Sequence, residues 1–259
     1  MAIPRAYRAE GIVLKGLDFG EADRIVTLYT RYFGKVRAIA KGARRPTGRL
    51  SGHVEPLAHA TFQLAKGREL DVITQAETRE AYRALREDLL STAAGWYVAE
   101  LVDRFTVDRQ PSAPTFDLLA TALRHLDAAN PPGLVCRWFD LHLLDRAGFR
   151  PELGRCAQCE RALEESEQLF SPAAGGVVCG RCRALAEGQV GIITVRGLKA
   201  LRHLLKSDFA EAARLRIDAA LAIELDRHMR GFLQHVLDRD VNAARLLDDV
   251  RNLRASALT

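Results

Sequence analysis

Four of the chain's five cysteines stand as two matched pairs, Cys156-Ala-Gln-Cys159 and Cys179-Gly-Arg-Cys182, with 19 residues between them. A C-x-x-C turn is tight enough to present two thiolates to one ion, and an intervening ribbon or loop can return the second pair. Gly175-Gly176 and Gly180 supply the bends. Four thiolates close a tetrahedron, so the spacing predicts one structural zinc held by Cys156, Cys159, Cys179 and Cys182, with no position left for a reacting group. An odd cysteine count does not suit a closed disulfide framework. Cys136, in an apolar run, is expected to be a small core residue.

A second set of residues could bind a polyanion. Arg24 to His53 holds eight Lys or Arg and no Asp or Glu, interleaved with Tyr29, Tyr32 and Phe33. Cations meet phosphates and exposed rings stack on bases, as single-stranded nucleic acid requires. Residues 25–33 and 35–41 alternate as two strands around Gly34, which predicts a hairpin. In the second strand Val36, Ala38 and Ala40 face inward and Lys35, Arg37 and Lys41 outward; in the first, Tyr29 and Arg31 share a face. The following G-A-R-R-P-T-G-R-L-S-G admits no regular element, leaving Arg44, Arg45 and Arg49 able to move toward a backbone. The competing reading, a merely solvated face, suits runs of mixed sign better than this one.

Enzyme chemistry finds no foothold. The sequence has no G-x-x-x-x-G-K-[ST] loop, no H-E-x-x-H and no G-x-S-x-G, and its seven histidines are scattered. No catalytic residue is expected, and His142, in an apolar helix, is expected to be a hydrogen-bonded core residue. The formal charge of +5 is uneven: residues 1–80 hold 14 basic and 9 acidic residues, the remainder 24 of each. No run of 18 apolar residues occurs and the N-terminus lacks the apolar core of a signal peptide, so a soluble, cytoplasmic protein is expected.

The elements that must position these residues change period near residue 80. Before it, five strands are expected: Tyr7 to Leu17, the hairpin, residues 55–65 and residues 69–78, with Lys66-Gly67-Arg68 as a turn. Five strands and a long basic loop between the third and fourth fit a small OB-type barrel, with an SH3-like barrel left open by strand count. After it, a stripe from Tyr82 to Phe105 predicts one helix, and others follow over Phe116 to Leu126, Leu134 to Ala147, Thr194 to Leu205, Asp208 to Leu215, Asp218 to Leu237 and Asn242 to Leu253. The expected fold is α+β and multidomain, a five-stranded OB-type barrel over 1–80 and a single helical bundle over 81–259 with a zinc-binding insertion at about 151–188.

G-F-R-P-E-L-G-R-C-A-Q-C at 148–159 and F-S-P-A-A-G-G-V-V-C at 170–179 resemble the RecO family of bacterial recombination mediators. So do E-G-I-V-L-K-G at 10–16, E-A-D-R-I-V-T-L-Y-T at 21–30 and G-K-V-R-A-I-A-K-G-A-R-R at 34–45. The resemblance implies an OB domain, a helical domain with a zinc ribbon and no enzymatic activity. It implies binding of single- and double-stranded DNA, annealing of strands coated with single-strand-binding protein, and, with RecR, help in loading RecA, in association with the nucleoid. Carried onto this chain, the DNA contacts would fall at Arg31, Lys35, Arg37, Lys41, Arg44, Arg45 and Arg49; the aromatic interleaving read above adds Tyr29 as the expected stacking platform. The family's basic tail is not matched: Asp238, Asp240, Asp248 and Asp249 stand here. For the acidic, apolar tail of single-strand-binding protein the expected dock is the Val195 to Lys206 helix, whose leucines lie beside Arg196, Lys199, Arg202 and Lys206. The main alternative is an RNA-binding OB and zinc-ribbon protein of the translation machinery.

Overall fold

The computed structural model describes residues 5–46 and 48–256. Strands β1 (Ala6–Phe19), β2 (Asp23–Thr30), β3 (Gly34–Ala40), β4 (His59–Ala65) and β5 (Asp71–Glu80) close a barrel in the order β1-β2-β3-β5-β4, with β4 returning to β1. All pairings are antiparallel except β3 with β5, which is parallel over Ala38–Ala40. This is the Greek-key path of an OB-type barrel, which decides against the SH3-like alternative. Val26 and Leu28 of β2, Val36, Ala38 and Ala40 of β3, Phe62 and Leu64 of β4 and Ile73 of β5 form the interior.

The described part of the basic loop after β3 is a chain of tight turns. Arg45 donates its amide to Gly42 (3.1 Å), Ser51 to Gly48 (3.0 Å) and His53 to Leu50 (3.2 Å). Ala43, Leu50 and Val54 join the barrel core, so hydrophobic burial fixes a segment whose Gly and Pro content predicted freedom.

Eight α-helices are described: α1 (Arg83–Glu87), α2 (Leu89–Phe105), α3 (Ala113–Asp127), α4 (Pro132–Arg146), α5 (Val195–Lys206), α6 (Phe209–Ala212), α7 (Ala219–Leu237) and α8 (Asn242–Ser256), besides a 3-10 helix over Gly180–Leu185. The single helix expected over Tyr82 to Phe105 is two. Asp88 is extended (φ −104°, ψ 119°) and its carboxylate accepts the Ser91 amide, capping α2. Ser112, Thr194 and Asp218 cap α3, α5 and α7 in the same way.

The expected boundary near residue 80 marks where strands give way to helices, but compactness divides the chain elsewhere. One unit comprises residues 1–129 and 242–259, the other residues 130–241. Helices α1, α2, α3 and α8 fall in the first unit and α4 to α7 in the second. In the first unit α8 lies along α2, with the Glu100 carboxylate accepting the amides of Asn242 (3.0 Å) and Ala243 (2.6 Å). A negative charge at a helix N-terminus is favourable there. In the second unit α4 packs against α5, α6 and α7, and Cys136 of α4 is fully buried. His142 Nε2 lies 3.1 Å from the carbonyls of Leu204 and Ser207.

The linker between α2 and α3 seals the barrel. Arg109, with a left-handed φ of 61°, donates its amide to the Lys35 carbonyl (3.0 Å) on the stretch of β3 that precedes its pairing with β5. Its guanidinium reaches Asp71 Oδ2 (2.8 Å) and the Tyr7 hydroxyl (3.0 Å), and Tyr7 in turn donates to Asp71. Burial first, and the neighbouring Asp71 second, push the Tyr7 phenol up to about 12. Gly34 is required here: its φ is +66°, and a Cβ would stand 2.4 Å from the Gln110 backbone.

Burial lowers the affinity of His59, His125, His142 and His228 for a proton below the ordinary histidine value of 6.5. Folded, they are neutral where the unfolded chain begins to bind protons, so stability should fall as pH drops through 6.5 and below. Melting temperatures at pH 7.5 and 5.5 check this. An unchanged value would contradict it.

Candidate nucleic-acid interface and metal centre

The cysteine pairs meet. A three-stranded sheet, β7-β6-β8, is built from β6 (Gln168–Ser171), β7 (Gly176–Val178) and β8 (Gly191–Ile193). The Ala157 amide bonds the Val177 carbonyl (2.7 Å), which sets the first C-x-x-C turn against β7. Gly176 permits the approach, since a Cβ there would lie 2.2 Å from the Glu152 carbonyl oxygen. The four Sγ atoms lie within 4.8 Å of one another, and Cys159 and Cys179 are 3.9 Å apart. Tetrahedral ligation at a Zn–S distance of about 2.3 Å puts sulfurs about 3.8 Å apart, so the arrangement fits zinc with little movement.

Cys156 and Cys182 are buried, Cys179 is partly covered and Cys159 is exposed. Burial opposes ionisation of Cys156, but amides of Cys179, Cys159 and Gln158 donate to its sulfur and hold the thiol down at about 6. Hydrogen bonding with Cys159, then burial, pushes Cys182 up to about 12. A cluster sharing thiolate charge in this way needs a cation to bear four.

On the barrel, the eight cations of Arg24 to His53 divide into two groups. Arg24 pairs with Asp18 (3.2 Å) and Glu55 (2.6 Å), and Arg44 with Asp18 (3.3 Å) and the Gly20 carbonyl (3.2 Å). Arg31 grips Asp117 of α3 with two nitrogens. Lys35, its side chain only 13% exposed, donates to the carbonyls of Asp103 (2.7 Å) and Thr106 (2.9 Å) and lies 3.3 Å from the Asp103 carboxylate. A stretch with no acid of its own is thus half neutralised by acids elsewhere in the chain. Arg37, Lys41, Arg45 and Arg49 are exposed and have no ion pair among the described residues.

Tyr29 is a correction. The hairpin forms, but it turns through Arg31-Tyr32-Phe33 rather than on Gly34 alone, so Tyr29 pairs with Lys35 across β2 and β3, and Tyr29 is fully buried. Its ring stacks 6.4 Å from Phe116 and its hydroxyl lies 3.4 Å from the Ser112 carbonyl. It cannot receive a base. Lys35 is likewise a strut between barrel and helix, Arg31 is engaged with α3, and Arg44 is pinned to the β1–β2 turn.

The register supplies what sequence reasoning missed. Leu17, Ile25 and Ile39 stand opposite one another across β1, β2 and β3, beside the row Lys15, Thr27, Arg37. Paired residues share a face, so an apolar row lies next to the unpaired Arg37. Leu17 is 68% exposed and Phe19, at the end of β1, 50%. The only sequence signal was alternation at the end of a strand that runs two residues beyond its expected Leu17 limit.

The expected dock on α5 is also corrected. Leu198, Leu201, Leu204 and Leu205 are buried, where α5 packs against α4, α6 and α7. Arg196 pairs with Asp218, Lys199 with Glu165 (2.6 Å), and Arg202 Nε donates to the Leu153 carbonyl (2.6 Å). An amphipathic stripe marks a buried face as readily as a docking face, and here the core claims it.

An OB-type barrel followed by helices that carry a four-cysteine ribbon defines the class of protein. The family model described as Recombination protein O N terminal matches residues 1–82, and Recombination protein O C terminal matches 86–245. The chain is 38% identical over 249 residues to the DNA repair protein RecO of Roseiflexus sp. (strain RS-1), covering 96% of this chain and 87% of that one. It is 36% identical to that of Symbiobacterium thermophilum (96% and 99% covered) and 40% to that of Heliobacterium modesticaldum (90% and 84%). The chain belongs to the RecO family of DNA repair proteins. No helix among the described residues is long and apolar enough to cross a membrane.

Proposed function

We propose that this chain is a non-enzymatic recombination mediator of DNA repair. It binds single- and double-stranded DNA, anneals complementary strands and, with RecR, helps to load RecA onto DNA coated with single-strand-binding protein. Family membership supports the role. The observation that carries the binding surface is the outer face of β1–β3, where unpaired Arg37 stands beside the row of exposed Leu17 and half-buried Ile25 and Ile39, with Phe19 exposed at the end of β1, and where exposed, unpaired Lys41, Arg45 and Arg49 follow β3 in the chain. Phosphates take the cations, and bases take the apolar row and the Phe19 ring. One zinc on Cys156, Cys159, Cys179 and Cys182 holds the ribbon and takes no part in chemistry.

Strand annealing tests the proposal. Purified protein should speed the pairing of complementary strands, bare and coated with single-strand-binding protein. Equal affinity for RNA and DNA of one sequence, with no acceleration of annealing, would favour the translation-machinery alternative.

A further inference from the structure

The four cysteines are chemically alike but not equally reachable. Cys156 and Cys182 sit in the small core of the ribbon with Leu169 and Val178, and Cys156 Sγ also accepts the Cys179 amide (3.3 Å). Cys159 is exposed, Cys179 is partly so, and their sulfurs are 3.9 Å apart. Thiolate reactivity follows access as well as charge.

We propose that Cys159 is an oxidisable site and that hydrogen peroxide converts Cys159 and Cys179 to a disulfide across the two C-x-x-C turns, with release of the zinc. The inference rests on the zinc assignment made above. Cys159 Sγ attacks one peroxide oxygen, the O–O bond breaks, and a sulfenic acid and hydroxide result. Cys179 Sγ then attacks the Cys159 sulfur, forming the S–S bond and expelling the second oxygen as hydroxide, and two solvent protons complete two waters. Two electrons have left the thiolates and reduced one peroxide. The metal is left with two thiolates, a set too small to hold it against solvent. The buried pair is shielded from both steps, so the disulfide forms between turns rather than within either one.

The test uses the full chain. Its zinc is measured first, then hydrogen peroxide is added while a chromogenic chelator reports free metal and peptide mapping reports the disulfides. Alkylation of the untreated protein should label Cys159 before the other three. One zinc should appear per Cys159–Cys179 disulfide, and a thiol reductant with added zinc should restore both. Cys136→Ser should behave as the parent, because Cys136 is buried in α4 outside the ribbon. Zinc that is present but not released on oxidation, or a disulfide joining Cys156 to Cys159 or Cys179 to Cys182, would overturn the proposal. Absence of zinc before peroxide would overturn the metal assignment itself and this proposal with it.

Discussion

Replacement of Cys156 by serine should unfold the ribbon. The apolar cluster around the cysteines consists of little more than Leu169 and Val178, with Leu163, Ala174 and Ala186 partly covered. So small a core does not order some forty residues by itself. Structural zinc contributes folding free energy directly, on the order of 10–16 kcal/mol in zinc-finger peptides. Serine removes the buried ligand that the amides of Cys179, Cys159 and Gln158 address, leaving three thiolates and several unsatisfied donors. Bound metal should drop well below one per chain, and amide exchange should accelerate across residues 151–188 first. The barrel lies in the other compact unit, so its exchange should be spared and affinity for single-stranded DNA should change little. Retention of a full zinc complement would contradict the assignment of these ligands.

Arg109→Ala should destabilise the barrel unit by about 3 kcal/mol, the low end for breaking a buried ion pair because the arginine is 35% exposed. Its partner Asp71 is 1% exposed. Truncation leaves that carboxylate with the Tyr7 hydroxyl and the Gly67 amide (3.2 Å) as its partners. It also frees the linker that covers β3 at Lys35. Urea unfolding measures the loss. Arg109→Lys should recover part of it by restoring the charge without the two-nitrogen reach. A loss below about 1 kcal/mol, the range of exposed ion pairs, would mean that the seal is ornamental.

Local pattern made the barrel and the cysteine site legible. Alternation placed Val36, Ala38 and Ala40 inside and Arg37 outside, and the two C-x-x-C pairs marked a cluster because the geometry of a single ion is encoded in adjacent residues. What was illegible is nonlocal. Nothing near Tyr29 announces that Phe116, 87 positions on, will cover its ring, and nothing near Lys35 announces Asp103. An acid-free window over Arg24 to His53 therefore overstates the positive surface, since charge balance is set across the fold. The leucines of α5 erred in the same way: their period identified a buried face but not what it would meet. Helix α8 returns to α2 by burying Ala244, Leu247 and Val250 and by setting its first amides on the Glu100 carboxylate, and its apolar stripe gave no sign of which helix it would meet.

The binding surface on β1–β3 is tested most directly by the salt dependence of affinity for single-stranded DNA, compared between the parent and an Arg37→Glu, Lys41→Glu variant. Both residues are exposed and unpaired among the described residues, so the variant should fold with the stability of the parent. Each phosphate contact contributes about 0.7 to the slope of log affinity against log salt, and the variant's slope should be flatter by roughly 1.4 or more. Its affinity should fall alike for every sequence, because backbone contacts position without specifying. The matched control is Lys35→Glu, which should lower stability through Asp103 rather than change the slope of the fraction that remains folded. A folded Arg37→Glu, Lys41→Glu variant that binds with the parent's affinity and an unchanged slope would contradict the placement of DNA on this face.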